Sequence, residues 1–160
     1  IAILTVDGEI QLRGRKKDTI VLLGGENIEP LPIESKIKES RFVASAVVFG
    51  TNEKGEDQRY LTAIILPNQD ELVSYAEENG IQADTYEKLV ETEAIQKLIE
   101  NEVAEAVNSK NGFKAYERIN KIALITKPFE VGVEMSAKQE IMRYRIAEIY
   151  KDKIAKMYAD

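Results

Sequence analysis

Gly14-Arg15-Lys16-Lys17-Asp18-Thr19-Ile20-Val21-Leu22-Leu23-Gly24-Gly25-Glu26-Asn27-Ile28-Glu29-Pro30-Leu31-Pro32-Ile33-Glu34 decides how this chain reads. A short strand from Glu9 to Arg13 runs into a cationic-then-acidic turn, and a β-branched and aliphatic strand follows from Thr19 to Leu23. Gly24-Gly25 then turns the chain, because glycine takes positive φ without a Cβ clash. Pro30 and Pro32 are spaced to start a helix at Ile33, where a missing N–H costs nothing. Local physics alone predicts a polar hairpin and then a helix.

On the N-terminal side, residues 1–13 alternate well enough for two strands about an Asp7-Gly8 turn. On the other side, a helix is predicted from Leu31 to Ser40 with Ile33 and Ile37 on one face. Val43 to Phe49 is almost continuously apolar, the pattern of a strand covered on both faces. A loop over residues 50–57 has no apolar residue, and a second strand runs from Arg59 to Leu66 before Pro67. Asn68 and Glu71 form a capping pair for a helix that carries Leu72, Tyr75 and Ala76 and ends at Asn79-Gly80. Ile95, Leu98, Ile99, Val103 and Ala106 recur at helical spacing before Asn111-Gly112-Phe113. A third strand is predicted over Arg118 to Ile125. Finally, Ile141 to Tyr158 is amphipathic, with Met142, Ile146, Ile149, Tyr150, Ile154 and Met157 on one side. The alternation predicts an α+β domain: a three-stranded central sheet packed by helices, preceded by a small two-stranded hairpin.

Composition narrows the chemistry. The 160 residues are 44% hydrophobic and 31% charged, enough for one domain with a real core. Zero Cys and zero His exclude disulfides, thiolate nucleophiles, zinc-finger spacing and a histidine base. A net charge of −6 argues against a general nucleic-acid binder, which needs a basic face. No run of eighteen apolar residues is present to span a membrane. The absence of Cys suits a cytoplasmic location, with peripheral membrane association left open. Ile1 to Val6 is too short for a signal peptide and lacks its basic flank, and no initiator Met is present. Both features suggest a chain that begins inside a longer protein. Residues 68–106 hold eleven acids against two bases, and residues 107–128 hold five bases and one acid. Such blocks are ordinarily solvated faces.

The order of parts from Gly14 to Glu34 closely resembles Gly-Arg-x-Lys/Asp-Asp-x-Ile-x-x-x-Gly-x-x-Ile-x-Pro-x-x-Ile-Glu of the adenylate-forming superfamily. That superfamily comprises acyl-CoA synthetases, adenylation domains of peptide synthetases and luciferases. The added helical content between Pro67 and Gly112, and Pro128-Phe129, resemble its long-chain fatty acyl-CoA synthetases. The resemblance implies that residues 1–16 are the tail of a large N-terminal adenylating domain and residues 17–160 a mobile C-terminal domain. It implies a partner, that N-terminal domain, and a two-step reaction in which ATP and a fatty acid form an acyl-adenylate that CoA then captures, with Mg²⁺ as cofactor. Neither nucleic acid nor a transmembrane segment belongs to the picture. The isolated fragment is expected to be inactive.

Site residues follow from the resemblance position by position. Arg15 matches the arginine that contacts the nucleotide, and Lys17 matches the hinge. Gly24, Gly25 and Glu26 match the loop that lines the CoA pantetheine tunnel during thioester formation. The family's catalytic lysine lies in Gly-Lys-Ile-x-Arg, or in Leu-Thr-Pro-Thr-x-Lys-x-x-Arg of the long-chain branch. Here the stretch is Glu134-Met135-Ser136-Ala137-Lys138-Gln139-Glu140-Ile141-Met142-Arg143. Registering on Ile141-Met142-Arg143 puts Glu140, a charge reversal, where the lysine belongs. Lys138 is the nearest lysine and the candidate replacement. An extended loop over 136–140 would point Lys138 and Glu140 the same way, about 7 Å apart. A helix beginning before Lys138 would make them diverge by about 200°. Two other readings stand beside a ligase: a non-catalytic relative in which Glu140 reports lost activity, and an independent interaction module.

Overall fold

A computed structural model describes residues 2–4, 10–12 and 19–159, with side chains from residue 19 onward. The apolar run at Val43 becomes β5 (Val43–Thr51), and the next becomes β6 (Asp57–Pro67), antiparallel to it. The third strand, β7 (Ile119–Leu124), lies parallel to β6 on its far side, giving the order β5-β6-β7. A parallel return needs a long crossover, supplied here by α2 (Gln69–Glu78), α3 (Tyr86–Glu91) and α4 (Glu93–Ala106).

Both sheet faces are covered, which is why β5 and the second half of β6 read as nearly continuous apolar runs. Val47, Phe49, Ile64 and Leu66 pack with Ile146, Ile154 and Met157 of α5 (Arg143–Ile149) and α6 (Lys151–Tyr158). Ala46, Val48, Ala63 and Ile65 pack with Ile33 and Ile37 of α1 (Pro30–Ile37) and with Ile95, Ile99 and Val103 of α4.

Two small sheets precede the central one. β1 (Ala2–Leu4) pairs antiparallel with β2 (Ile10–Leu12), matching the expected N-terminal hairpin. A second pair joins β3 (Ile20–Val21) to β4 (Asn27–Ile28). The strand expected to reach Leu23 therefore stops earlier, because Leu22 already belongs to the turn: its N–H donates to Glu26 O at 3.1 Å. This hairpin leans on β5 at Gly50, where an added Cβ would collide with Ile20 Cγ2. Gly50→Ala should therefore destabilise the domain by about 1–3 kcal/mol, as overpacking does. A denaturation midpoint unchanged from wild type would show that the hairpin is not seated on β5 there.

Side-chain caps begin α2, α3 and α4. Asn68 accepts from Glu71 N at 3.4 Å to start α2, as the sequence predicts. The short α3 is not predicted. Thr85 accepts from Lys88 N at 3.2 Å to begin it, and Thr92 donates to Leu89 O at 2.7 Å to end it. Thr92 then caps α4 by accepting from Ile95 N at 3.4 Å. The C-terminal amphipathic segment is also corrected: it breaks at Tyr150 (φ −108, ψ 27) into α5 and α6. The break shifts the phase of the apolar stripe and leaves Ile149, expected on the buried side, 45% exposed. Tyr158 fastens the chain end: its hydroxyl lies 3.1 Å from Phe49 O and 3.0 Å from Tyr60 O. Burial pushes that phenol up to about 12. Among the described residues, no helix is long and apolar enough to cross a membrane.

Candidate functional site

The segment from Glu130 to Arg143 is built from its backbone outward. Val133, Glu134 and Met135 all direct their N–H groups to Glu130 O at 3.1 Å, and Gly132 takes φ +88 to allow the turn. The Glu134 side chain, 1% exposed, returns to accept from Glu130 N at 2.8 Å. A second turn is stacked on the first. Met135 bridges antiparallel to Ile141, and Ser136 N donates to Glu140 O at 2.8 Å. Ser136 Oγ accepts from both Lys138 N and Glu140 N at 3.3 Å, while Gln139 takes φ +63 to reverse the chain.

Residues 136–140 are thus neither extended nor helical, and α5 begins only at Arg143. The loop is a tight hairpin with Lys138 at its exposed tip and Glu140 on its returning stem. The two side chains share one short turn, so the helical divergence does not arise, and neither does the extended spacing. Met142 N donates to Glu134 O at 2.9 Å and holds the turn's base, and the half-buried Tyr150 lies near the Glu134 carboxylate. Its phenol is raised by burial first and by that charge second.

Arg143 supplies the stronger anchor. Its Nη2 meets both carboxylate oxygens of Glu34, at 2.8 and 2.7 Å, and its Nε donates to Val48 O at 3.1 Å. Glu34 Oε2 also accepts from Val48 N at 2.8 Å. The Arg143 side chain is 17% exposed and that of Glu34 8%. One charged pair therefore ties the loop, α1 and the central strand β5 into a single body. The end of the first quoted motif and the end of the loop motif meet here, 109 residues apart in sequence.

The β3–β4 hairpin belongs to the same surface. Gly25 N donates to Leu22 O at 2.8 Å, so Leu23-Gly24 is the corner of the hairpin turn, and Gly25 follows it with φ +88. The Glu26 carboxylate folds over Gly24, where a Cβ would meet its oxygens at 2.5 and 2.6 Å. Glu26 Oε2 is buried without a hydrogen-bond partner among the described residues. A cleft of ≈ 480 Å³ lies between β3 and the start of α5, lined by Ile20, Val21 and Gly50 on one side and Met142, Tyr144 and Ala147 on the other. Arg15 and Lys17, the expected nucleotide contact and hinge, lie outside the described residues.

The Glu34–Arg143 clamp is the feature that residue-by-residue reasoning missed. Both residues stood in the quoted motifs, but nothing local in the sequence signals that they pair. The buried Glu134 had no signal at all.

A family model described as the AMP-binding enzyme C-terminal domain matches residues 17–160. The chain belongs to that family. This AMP-binding enzyme C-terminal domain is 32% identical, over 95% of its length, to a long-chain-fatty-acid–[acyl-carrier-protein] ligase of Arabidopsis thaliana, and covers 18% of that relative. It is 29% identical, over 96% of its length, to a long-chain-fatty-acid–CoA ligase of Gallus gallus, covering 22% of it. The A-PCP didomain of the carboxylic acid reductase from Segniliparus rugosus, solved with AMP, shares the fold with a TM-score of 0.71 at 19% identity. That match covers 99% of this domain and 20% of the didomain. The domain thus spans about a fifth of the length of these relatives.

Proposed function

We propose that residues 17–160 are the mobile C-terminal domain of an AMP-forming long-chain fatty acid–CoA ligase, with residues 1–16 the tail of its N-terminal adenylating domain. The fatty carboxylate attacks the α-phosphate of ATP, giving acyl-adenylate and pyrophosphate. The CoA thiol then displaces AMP to give the thioester. The observation that carries this reading is the family-model match over residues 17–160, in a domain where the Gly24-Gly25 hairpin and the Lys138 turn are separate loops. A rotation about a hinge at Lys17 would exchange these loops against a partner domain.

Each residue has a role in this reading. Arg15 offers a fork of donors to the nucleotide, and Lys138 brings positive charge to the reacting phosphate and carboxylate. Gly24 and Gly25 admit the pantetheine arm close to the backbone, and the unpartnered Glu26 Oε2 is an acceptor for one of its amide N–H groups. Among the described residues no group of three or more carboxylates could hold a metal. No step is therefore assigned to Mg²⁺ on this chain. One observation favours a second reading: Glu140 at the family's lysine position would suit a non-catalytic relative that closes over a ligand.

ATP–pyrophosphate exchange by the full-length protein, with fatty acids of several lengths, tests the first step. Thioester formation with CoA and with an acyl carrier protein tests the second. Exchange that depends on a long-chain acid, followed by capture on CoA, is the expected result. No exchange with any carboxylic acid would favour the non-catalytic relative. Residues 1–160 alone should form no acyl-CoA.

Lys17→Pro in the full-length protein should slow thioester formation more than adenylation, since proline fixes φ where the rotation needs it free. Single-turnover rates of the two half-reactions measure the split. Equal losses in both would remove Lys17 from the hinge.

A further inference from the structure

The acidic block at 68–106 plays no part in the adenylation reading, yet the fold sets three of its glutamates across one strand from the lysines of α6. That strand, β7, is the last of the central sheet among the described residues. Ile125 N donates to Ile65 O at 3.0 Å, so Ala123 and Ile125 turn their peptide groups toward β6. The alternation of an extended chain then turns those of Ile122 and Leu124 outward. The register shift beside Leu61 falls at the start of β7, so the regular stretch of open edge is 122–125.

A groove of ≈ 950 Å³ follows this edge between two walls. Glu87 and Glu91 of α3 and Glu100 of α4 stand on one wall, and Lys153 and Lys156 of α6 on the other. The walls correspond to the two faces of the sheet. Ile122 and Leu124 pack on the α4 side, whereas Ala123 and Ile125 pack on the α6 side. Any strand added to the edge would send alternate side chains to the same two sides, one toward carboxylates and the next toward ammonium groups.

We propose that the open edge of β7 binds an extended peptide of a partner protein, by strand addition, in which basic and acidic side chains alternate. Main-chain hydrogen bonds to Ile122 and Leu124 supply affinity, and the two charged walls read the alternation. A second copy of this chain is the poorer occupant. Pairing β7 with β7 about a two-fold axis perpendicular to the sheet keeps like faces together, so acidic wall would meet acidic wall and lysine would meet lysine.

Fluorescence anisotropy on the full-length protein tests this with labelled octapeptides. One alternates Lys and Glu four times, and the other carries the same residues as a Lys block and a Glu block. The alternating peptide should bind at least about tenfold more tightly, a difference of about 1.4 kcal/mol. N-methylation of its alternate residues should abolish binding for one set and spare the other, because only one set faces β7. Replacing Lys153 and Lys156 together by Glu should weaken the alternating peptide by about tenfold or more. Equal affinity for the two peptides, indifference to both methylation patterns, or no saturable binding would each overturn the proposal. So would a β7-mediated dimer, seen by sedimentation, that the peptide does not dissociate.

Discussion

Lys138→Ala in the full-length protein should lower the rate of acyl-adenylate formation by about 100-fold, the scale of losing one preorganised charge at a reacting oxyanion. Thioester formation from preformed acyl-adenylate should change little, because the proposed function gives that step to the Gly24-Gly25 hairpin and not to the Lys138 turn. The turn makes this test sharper than sequence spacing allowed. Lys138 sits at the tip of a loop whose stem is fixed at Ser136, Met142 and Arg143, so its side-chain carbons need to reach only outward. Glu140 emerges from the same turn. At 4 Å and an effective dielectric near 20, a carboxylate facing a phosphate would cost about 4 kcal/mol for each unit-charge pair. In an active enzyme Glu140 must therefore point aside, and Glu140→Lys should raise adenylation only modestly. The two variants separate the outcomes. An active wild type indifferent to Lys138→Ala would sink the relocated lysine. Adenylation by Glu140→Lys alone would mean that the natural protein has lost the step.

The sequence carries the strands best, because their signals are local and redundant. Val43 to Phe49 had to be covered on both faces, and it is. The prolines at 30 and 32 also behave as helix starters, although α1 begins at Pro30 itself and ends at Ile37, before the expected Ser40. Local signals fail where the cause is distant. The break at Tyr150 involves neither Gly nor Pro. It follows from packing the chain end against β5 and β6 through Tyr158, a contact 98 residues away in sequence. The turn over 136–140 was equally hidden, since Gln139 is not a residue type that announces positive φ. The pairing of Met135 with Ile141 and the hydrogen bonds to the Ser136 hydroxyl favour it. The residues of the 136–140 loop could thus be named from the sequence, but their geometry could not.

Arg143→Met should destabilise the domain by about 3–5 kcal/mol, because it removes the guanidinium that meets both oxygens of the buried Glu34 carboxylate. That is a large fraction of a typical domain's 5–15 kcal/mol. Arg143→Lys should recover little, since an ammonium cannot reach Glu34 and Val48 O in the planar geometry that one guanidinium spans. Glu34→Leu removes the carboxylate that the guanidinium meets at 2.7 and 2.8 Å and should cost a similar amount. Combining Glu34→Leu with Arg143→Met removes both charges and fills the space with apolar groups, so stability should return to within about 1–2 kcal/mol of wild type. Adenylation should not return with it. The root of the loop would still have lost its tie to β5, and Lys138 would no longer be presented on a fixed stem. Urea unfolding of the four proteins gives the coupling energy, and single-turnover adenylation gives the loop's contribution. Additive losses in the unfolding cycle would show that the pair is no clamp. Full adenylation in the stable double variant would show that the clamp holds the fold alone and leaves the positioning of Lys138 to Glu134 and Ser136.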